Sequence, residues 1–181
     1  MDKKELRAKM KKVRASIENI DEVSLKIKEK IMSLDEMKQA ETVFCYVSFG
    51  TEVHTHELIL ELFALGKRVC VPKTYDNGIM DAVEITSLSG LSENRFGTLE
   101  PIFGKIVEKD FIDIVIIPAL CYDKVGYRLG YGKGYYDRYL DGYNGRKIGI
   151  CPSLCVVSDA LPSSHDIKAD MIITENGIIT F

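Results

Sequence analysis

Glycines alternate with basic and aromatic residues in one stretch: Gly126-Tyr127-Arg128-Leu129-Gly130-Tyr131-Gly132-Lys133-Gly134-Tyr135-Tyr136-Asp137-Arg138. Gly130, Gly132 and Gly134 let the backbone take up positive φ and approach a ligand closely. N–H groups exposed along such a turn, with a helix start behind them, suit phosphate oxygens. Lys133 and Arg128 add positive charge, and a guanidinium can grip phosphate through two N–H groups at once. Asp137 sits where a carboxylate could hold a magnesium ion. The stretch is not a P-loop, which needs GxxxxGK followed by Ser or Thr. Nor is it the dinucleotide fingerprint GxGxxG, because its spacing is GxGxG. Glycine alternation alone also fits a purely structural loop. The added Arg, Lys and Asp, placed after a buried strand, favour nucleotide binding.

Other polar residues are weaker signals. His54 and His56 flank Thr55 at a loop-to-helix junction with no third metal ligand in view, so a solvated loop is the preferred reading. His165-Asp166 could be read as a dyad, but adjacent residues rarely face one another, and Asp166 is better placed as a metal- or phosphate-side residue. Lys3, Arg7, Lys11 and Arg14 form a basic stripe on the first helix. That stripe is either a solvated face or a nucleotide contact, and without interleaved aromatics it is not a nucleic-acid patch. Five cysteines, with no CxxC pair, argue against a disulfide framework or a zinc site.

The elements that must carry these residues read as follows. Leu6, Met10, Val13 and Ile17 recur at helical spacing, predicting a helix over 2–18. A second helix is expected over 22–38, with Asp21 as its N-cap. Residues 43–47 read as a buried strand, 56–65 as a helix capped by Thr55 and ended by Gly66, and 68–71 as a strand stopped by Pro72. This β-α-β unit points to a parallel sheet covered by helices. Residues 81–85 alternate like a half-buried strand, and 87–100 carry turn residues with one short helical turn. Residues 112–117 form the strongest apolar run and read as a central strand. A long loop, a helix near 134–141 and strands at 147–150 and 171–174 complete the chain. The expected fold is a single α/β domain over residues 1–181, three-layered α/β/α, with a mostly parallel sheet.

Composition agrees with that class. The 181 residues are 46% hydrophobic and 28% charged, with a net charge of -3. That charge gives no global drive toward nucleic acid or an anionic membrane. No apolar run approaches the roughly 20 residues of a membrane span. The charged N-terminus makes the cytoplasm the default compartment.

The segment Arg128 to Arg138 resembles the signature of the 5-formyltetrahydrofolate cyclo-ligases, also called methenyltetrahydrofolate synthetases. Weaker likenesses fall in the family's order: Lys3 to Arg7; Ser48 to Thr55 with Glu52; Gly97, Glu100 and Pro101; Pro118-Ala119-Leu120-Cys121-Tyr122-Asp123; and His165-Asp166, Asp170 and Ile172 to Glu175. Tyr131 stands where many members carry arginine. The resemblance implies a fold of the ribose-5-phosphate isomerase and CoA-transferase-like type. It implies ATP held by Lys3, Lys4, Glu5, Leu6 and Arg7 and by Arg128, Leu129, Gly130, Tyr131, Gly132, Lys133, Gly134, Tyr135 and Tyr136. Magnesium would lie near Asp137 and Asp166, and the folate at Val47 and Glu52. Lys133, Arg128 and Tyr136 would be the catalytic residues, although core packing is an equal reading for one of Tyr135 and Tyr136. The implied reaction is ATP-dependent closure of 5-formyltetrahydrofolate to 5,10-methenyltetrahydrofolate by a monomer acting on a small molecule. A non-catalytic nucleotide or phosphate-ligand sensor, or a transferase on the same fold, is the alternative.

Overall fold

The first helix begins with a reciprocal cap. Asp2 accepts the N–H of Glu5, and Glu5 Oε2 accepts the N–H of Asp2. In the computed structural model, which describes residues 1–181, helix α1 spans Lys3–Ala15. It ends before the expected residue 18 because Ser16 caps it, its N–H and hydroxyl turning back onto the last carbonyls. The second helical stretch starts at Asn19, not Asp21, and divides in two. Leu34 is extended (ψ 134°) and separates α2 (Ile20–Ser33) from α3 (Asp35–Gln39). Helix α4 is His56–Ala64, and α5 is Tyr135–Leu140. Thr55 occupies the N-cap position of α4 without capping it. Its hydroxyl instead donates to Tyr46 O and accepts from Ser48 N. Gly66, at φ +72°, follows the end of α4 as expected.

The strands are β1 (Thr42–Cys45), β2 (Arg68–Thr74), β3 (Met80–Ile85), β4 (Leu91–Glu93), β5 (Leu99–Pro101), β6 (Ile114–Ile117), β7 (Cys121–Asp123), β8 (Arg128–Leu129), β9 (Arg146–Ile150), β10 (Val156–Val157), β11 (Met171–Thr174) and β12 (Gly177–Thr180). Seven form one sheet in the order β12-β11-β9-β6-β1-β2-β3. Neighbours from β11 to β2 run parallel, while β3 and β12 are antiparallel edges. The mixed α/β class with a mostly parallel sheet is as the sequence predicts. Strand β6 lies in the middle, and all four of its residues are buried. Pro72 does not stop β2. Strand β1 pairs only as far as Cys70, so at Pro72 that side of β2 no longer needs a ladder N–H.

One face of the sheet is covered by α2, α3 and α4. Val23, Ile27, Ile31, Met37, Leu58 and Leu62 pack there on Val43, Val69, Ile114, Ile116 and Ile173. The opposite face is shared, which departs from a plain helical third layer. Helix α5 covers Phe44, Val115 and Ile117, while α1 covers the small sheet β10-β7-β8 through Leu6 and Met10. That sheet is pressed against β9 by Tyr122, whose ring would lie 2.5 Å from a Cβ at Gly149 and whose hydroxyl donates to Ile117 O. Only glycine fits beneath the ring.

Candidate active site

The chain leaves β1 toward β2 and β3 on one side of the sheet, then crosses to the other side for β6, β9 and β11. The connections therefore diverge between β1 and β6. In open α/β sheets the crevice at the carboxyl ends of two such strands is where ligands bind. Two loops leave that crevice. Residues 46–55 follow β1 and carry Val47 and Glu52; residues 118–134 follow β6 and carry the glycine-rich turn. The fold thus brings together two sets of site residues about seventy positions apart in sequence, since Val43 pairs with Ile114.

Helix α1 lies against these loops, and three residues of its basic stripe are engaged by loop residues while Lys11 stays exposed. Lys3 Nζ lies 2.8 Å from Asp166 Oδ2 and 2.8 Å from Ser163 Oγ. Arg7 Nε donates to Gly130 O at 2.9 Å, and its guanidinium runs beside Gly132. Lys11 Nζ is 5.9 Å from the Tyr131 ring centre, and Arg14 is buried among the loops. Of the other N-terminal residues, Lys4 is exposed, Glu5 is engaged in the helix cap and Leu6 packs in the core.

In the turn itself, Gly132 (φ +96°) and Gly134 (φ +69°) use the left-handed region that glycine permits. Gly130 does not, but space for a Cβ there is open, leaving its backbone accessible. Lys133 is exposed and makes no ion pair. Its Nζ lies 5.4 Å from the Phe96 ring centre at the tip of the β4–β5 hairpin. That hairpin is fastened to β2 by Glu100 Oε1, which accepts from Thr74 N, Thr74 Oγ1 and Asn94 Nδ2. Tyr135 donates its hydroxyl to Tyr75 O. Tyr136 turns inward against Phe44, and its buried hydroxyl has no hydrogen-bond partner. An orphaned buried hydroxyl of this kind calls for a ligand or water.

Arg128 is buried within β8. Its guanidinium donates to Asp137 Oδ1 at 2.7 Å and to Ile167 O at 2.6 Å. Asp137 Oδ1 also accepts Ile167 N, the residue next to Asp166. Asp166 Oδ2 accepts from Lys3 and Ser163 N. Burial alone would raise the Asp166 carboxyl, but these donors hold it below the ordinary aspartate range. Asp137 Oδ2 and Asp166 Oδ1 are left without a protein donor. Asp137→Asn removes the charge facing Arg128, whose side chain is 4% exposed. Denaturant unfolding of that variant should show a loss of about 3 kcal/mol.

Val47 and Glu52 sit on the β1 side of the crevice, both buried. Glu52 Oε2 accepts Phe49 N at 3.1 Å. Burial pushes the Glu52 carboxyl up to about 7, against the opposing pull of that N–H, of Arg14 and of Tyr131. His54 and His56 serve locally: His54 Nδ1 pairs with Asp21, and His56 Nδ1 faces Ser48 Oγ. The residue that sequence reasoning missed is Arg14, which it placed in the basic stripe without foreseeing that the last turn of α1 dives between the loops. No helix is long and apolar enough to cross a membrane.

Fold and geometry together define an α/β protein whose basic first helix and glycine-rich turn meet at the strand switch point. Comparison with known proteins narrows this. The sequence model of the 5-formyltetrahydrofolate cyclo-ligase family matches residues 1–175, and the chain belongs to that family. The 5-formyltetrahydrofolate cyclo-ligase of Mus musculus is 29% identical over 196 residues, covering 96% of this chain and 94% of the relative. The NMR structure of Aquifex aeolicus 5,10-methenyltetrahydrofolate synthetase superposes with a TM-score of 0.88 at 31% identity, covering 99% of this chain and 93% of that one. The Mycoplasma pneumoniae 5,10-methenyltetrahydrofolate synthetase gives a TM-score of 0.79 at 27% identity, covering 97% and 99%.

Proposed function

We propose that this chain closes 5-formyltetrahydrofolate to 5,10-methenyltetrahydrofolate at the expense of ATP, with the triphosphate on the glycine-rich turn and the pterin against Glu52. The observation that carries the reading is the meeting of these two loops at the β1–β6 crevice. A formamide oxygen is a poor leaving group. Transfer of the γ-phosphoryl group to that oxygen releases ADP and makes the oxygen a good one; N10 then attacks the activated carbon and gives up its proton as the ring closes and phosphate departs. Such chemistry asks a protein for positioning and charge neutralisation. Lys133 and Arg7, with the backbone N–H groups of the turn, would stabilise the spreading phosphoryl charge. Arg128 would act from beneath the turn, holding Asp137. Lys3 would fix the loop around Asp166, and Lys4 and Glu5 lie at the outer rim. Leu6, Leu129 and the inward Tyr136 would form the floor. Val47 and Glu52 would seat the pterin, Glu52 accepting hydrogen bonds from ring or amino N–H groups.

The residues fit a magnesium ion that arrives with the nucleotide. No group of three or more potential protein ligands gathers anywhere in the chain. Magnesium commonly uses one or two carboxylates together with substrate phosphates, and Asp137 Oδ2 and Asp166 Oδ1 are open for that purpose. When bound it would neutralise phosphate charge. Asp137→Asn should therefore weaken the magnesium dependence of turnover, and an unchanged magnesium titration would remove Asp137 as a ligand. We place the protein in the cytoplasm as a monomeric single domain.

One assay separates this reading from a sensor or a transferase. Purified protein incubated with 5-formyltetrahydrofolate, ATP and magnesium should develop the absorbance of the methenyl product, and omission of ATP should abolish it. A folded sample that gives no product would favour the sensor. The same absence of product is what a transferase on this fold would give, since its chemistry does not use ATP to close the ring.

A further inference from the structure

Arg14 is 3% exposed, and no carboxylate lies within ion-pair distance of it. A buried guanidinium is costly unless its donors are used. Here they bridge the crevice. Nε donates to Thr51 O at 3.1 Å on the β1 side, and Nη1 donates to Ala119 O at 3.0 Å on the β6 side. Nη1 also lies 3.5 Å from the Tyr131 hydroxyl. Glu52 follows Thr51 directly, so the Arg14 clamp on Thr51 O acts on the segment that carries the carboxyl. The Tyr131 ring rests on Phe49, the residue whose N–H the carboxyl accepts. Three segments therefore converge on one carboxyl: the last turn of α1, the loop after β1 and the glycine-rich turn.

We propose that Arg14 and Tyr131 are positioning residues that hold the Glu52 carboxyl in its ligand-accepting orientation. The inference rests on the reading of Glu52 as the pterin contact. The titratable groups whose charge bears on Glu52 are Arg14 from α1, Tyr131 from the glycine-rich turn, Tyr46 just beyond β1 and Tyr136 from α5. Only Arg14 among them is cationic, and it works against the burial that favours the neutral acid. Tyr131 also belongs to the turn assigned to the triphosphate. A shift of that turn would reach Glu52 through the Tyr131 ring on Phe49, whose N–H the carboxyl accepts.

The test uses the full-length protein with carboxyl-carbon NMR, the Glu52 resonance being identified by its loss in Glu52→Gln. In Arg14→Gln and in Tyr131→Phe the Glu52 titration midpoint should move upward. The acid limb of kcat/KM should move upward with it, and folate KM at neutral pH should rise about tenfold for every tenfold loss in acidity of the carboxyl. A purely structural Arg14 would lower stability while leaving both the midpoint and the acid limb in place, and that result overturns the proposal. If Arg14→Gln does not fold, Tyr131→Phe, at a half-exposed position, carries the same readout alone. Should Glu52→Gln leave folate KM unchanged, the pterin reading fails, while the NMR midpoint still decides the positioning role independently.

Discussion

Lys133→Ala is expected to fold normally and to lower turnover by about a hundredfold or more, the loss typical of removing one charge-stabilising group at a phosphoryl transition state. The fold should survive because the side chain is exposed, makes no ion pair and has its ammonium 5.4 Å from the Phe96 ring centre. A cation resting on an exposed aromatic ring is held by only about 0.5–1 kcal/mol. The ammonium is thus parked close to the turn without being committed, and it can move onto phosphate oxygens at little cost. Steady-state kinetics with saturating ATP, alongside a thermal melt, would check this. Near-normal turnover in the variant would remove Lys133 from the phosphate site.

Glu52→Gln should show two opposite effects. Affinity for the folate should fall about tenfold to a hundredfold, because a charge-assisted hydrogen bond is replaced by a neutral one. Stability should rise at alkaline pH. The wild-type carboxyl is raised to about 7 by burial, so between the ordinary glutamate range and about 7 the folded chain binds more protons than the unfolded chain. The folded state therefore loses stability as pH rises through that window, by on the order of 3 kcal/mol once the group is fully ionised. Glutamine has no proton to lose. The variant should match wild type near pH 4 and exceed it by about 1–3 kcal/mol at pH 8, as read from denaturant midpoints across pH. Parallel pH–stability curves for the two proteins would show that Glu52 is not buried as a strained acid.

The candidate turn stood out because its residues are adjacent in sequence. Gly130, Gly132 and Gly134, with Lys133 between them and Arg128 and Asp137 on either side, single that turn out. The central strand before it announces itself as an uninterrupted apolar run. Arg14 was not legible. Helical spacing puts it in one stripe with Lys3, Arg7 and Lys11, and nothing in that spacing says which end of the stripe is buried. The inward turn of Tyr136 was equally open, since two adjacent tyrosines on one helix must point to different sides and only packing against Phe44 chooses between them. The small sheet escaped notice because β7, β8 and β10 have two or three residues each, too few to show a period of two. The break at Leu34 was hidden because the apolar positions keep helical spacing across it. Pro72 misled for a topological reason: its tolerance depends on where β1 ends, and that belongs to a neighbouring strand.

The pairing of Val43 with Ile114 also bears on how the chain assembles. The walls of the crevice belong to strands joined by two further strands, a hairpin and a helix, so loop closure over that whole intervening length must precede their docking. Local pieces such as the β-α-β unit can form earlier, yet none of them holds both halves of the pocket. Nucleotide or pterin should therefore recognise only molecules whose central sheet is complete. Such ligands act by mass action on the folding equilibrium, drawing late intermediates toward the finished state without speeding the first steps.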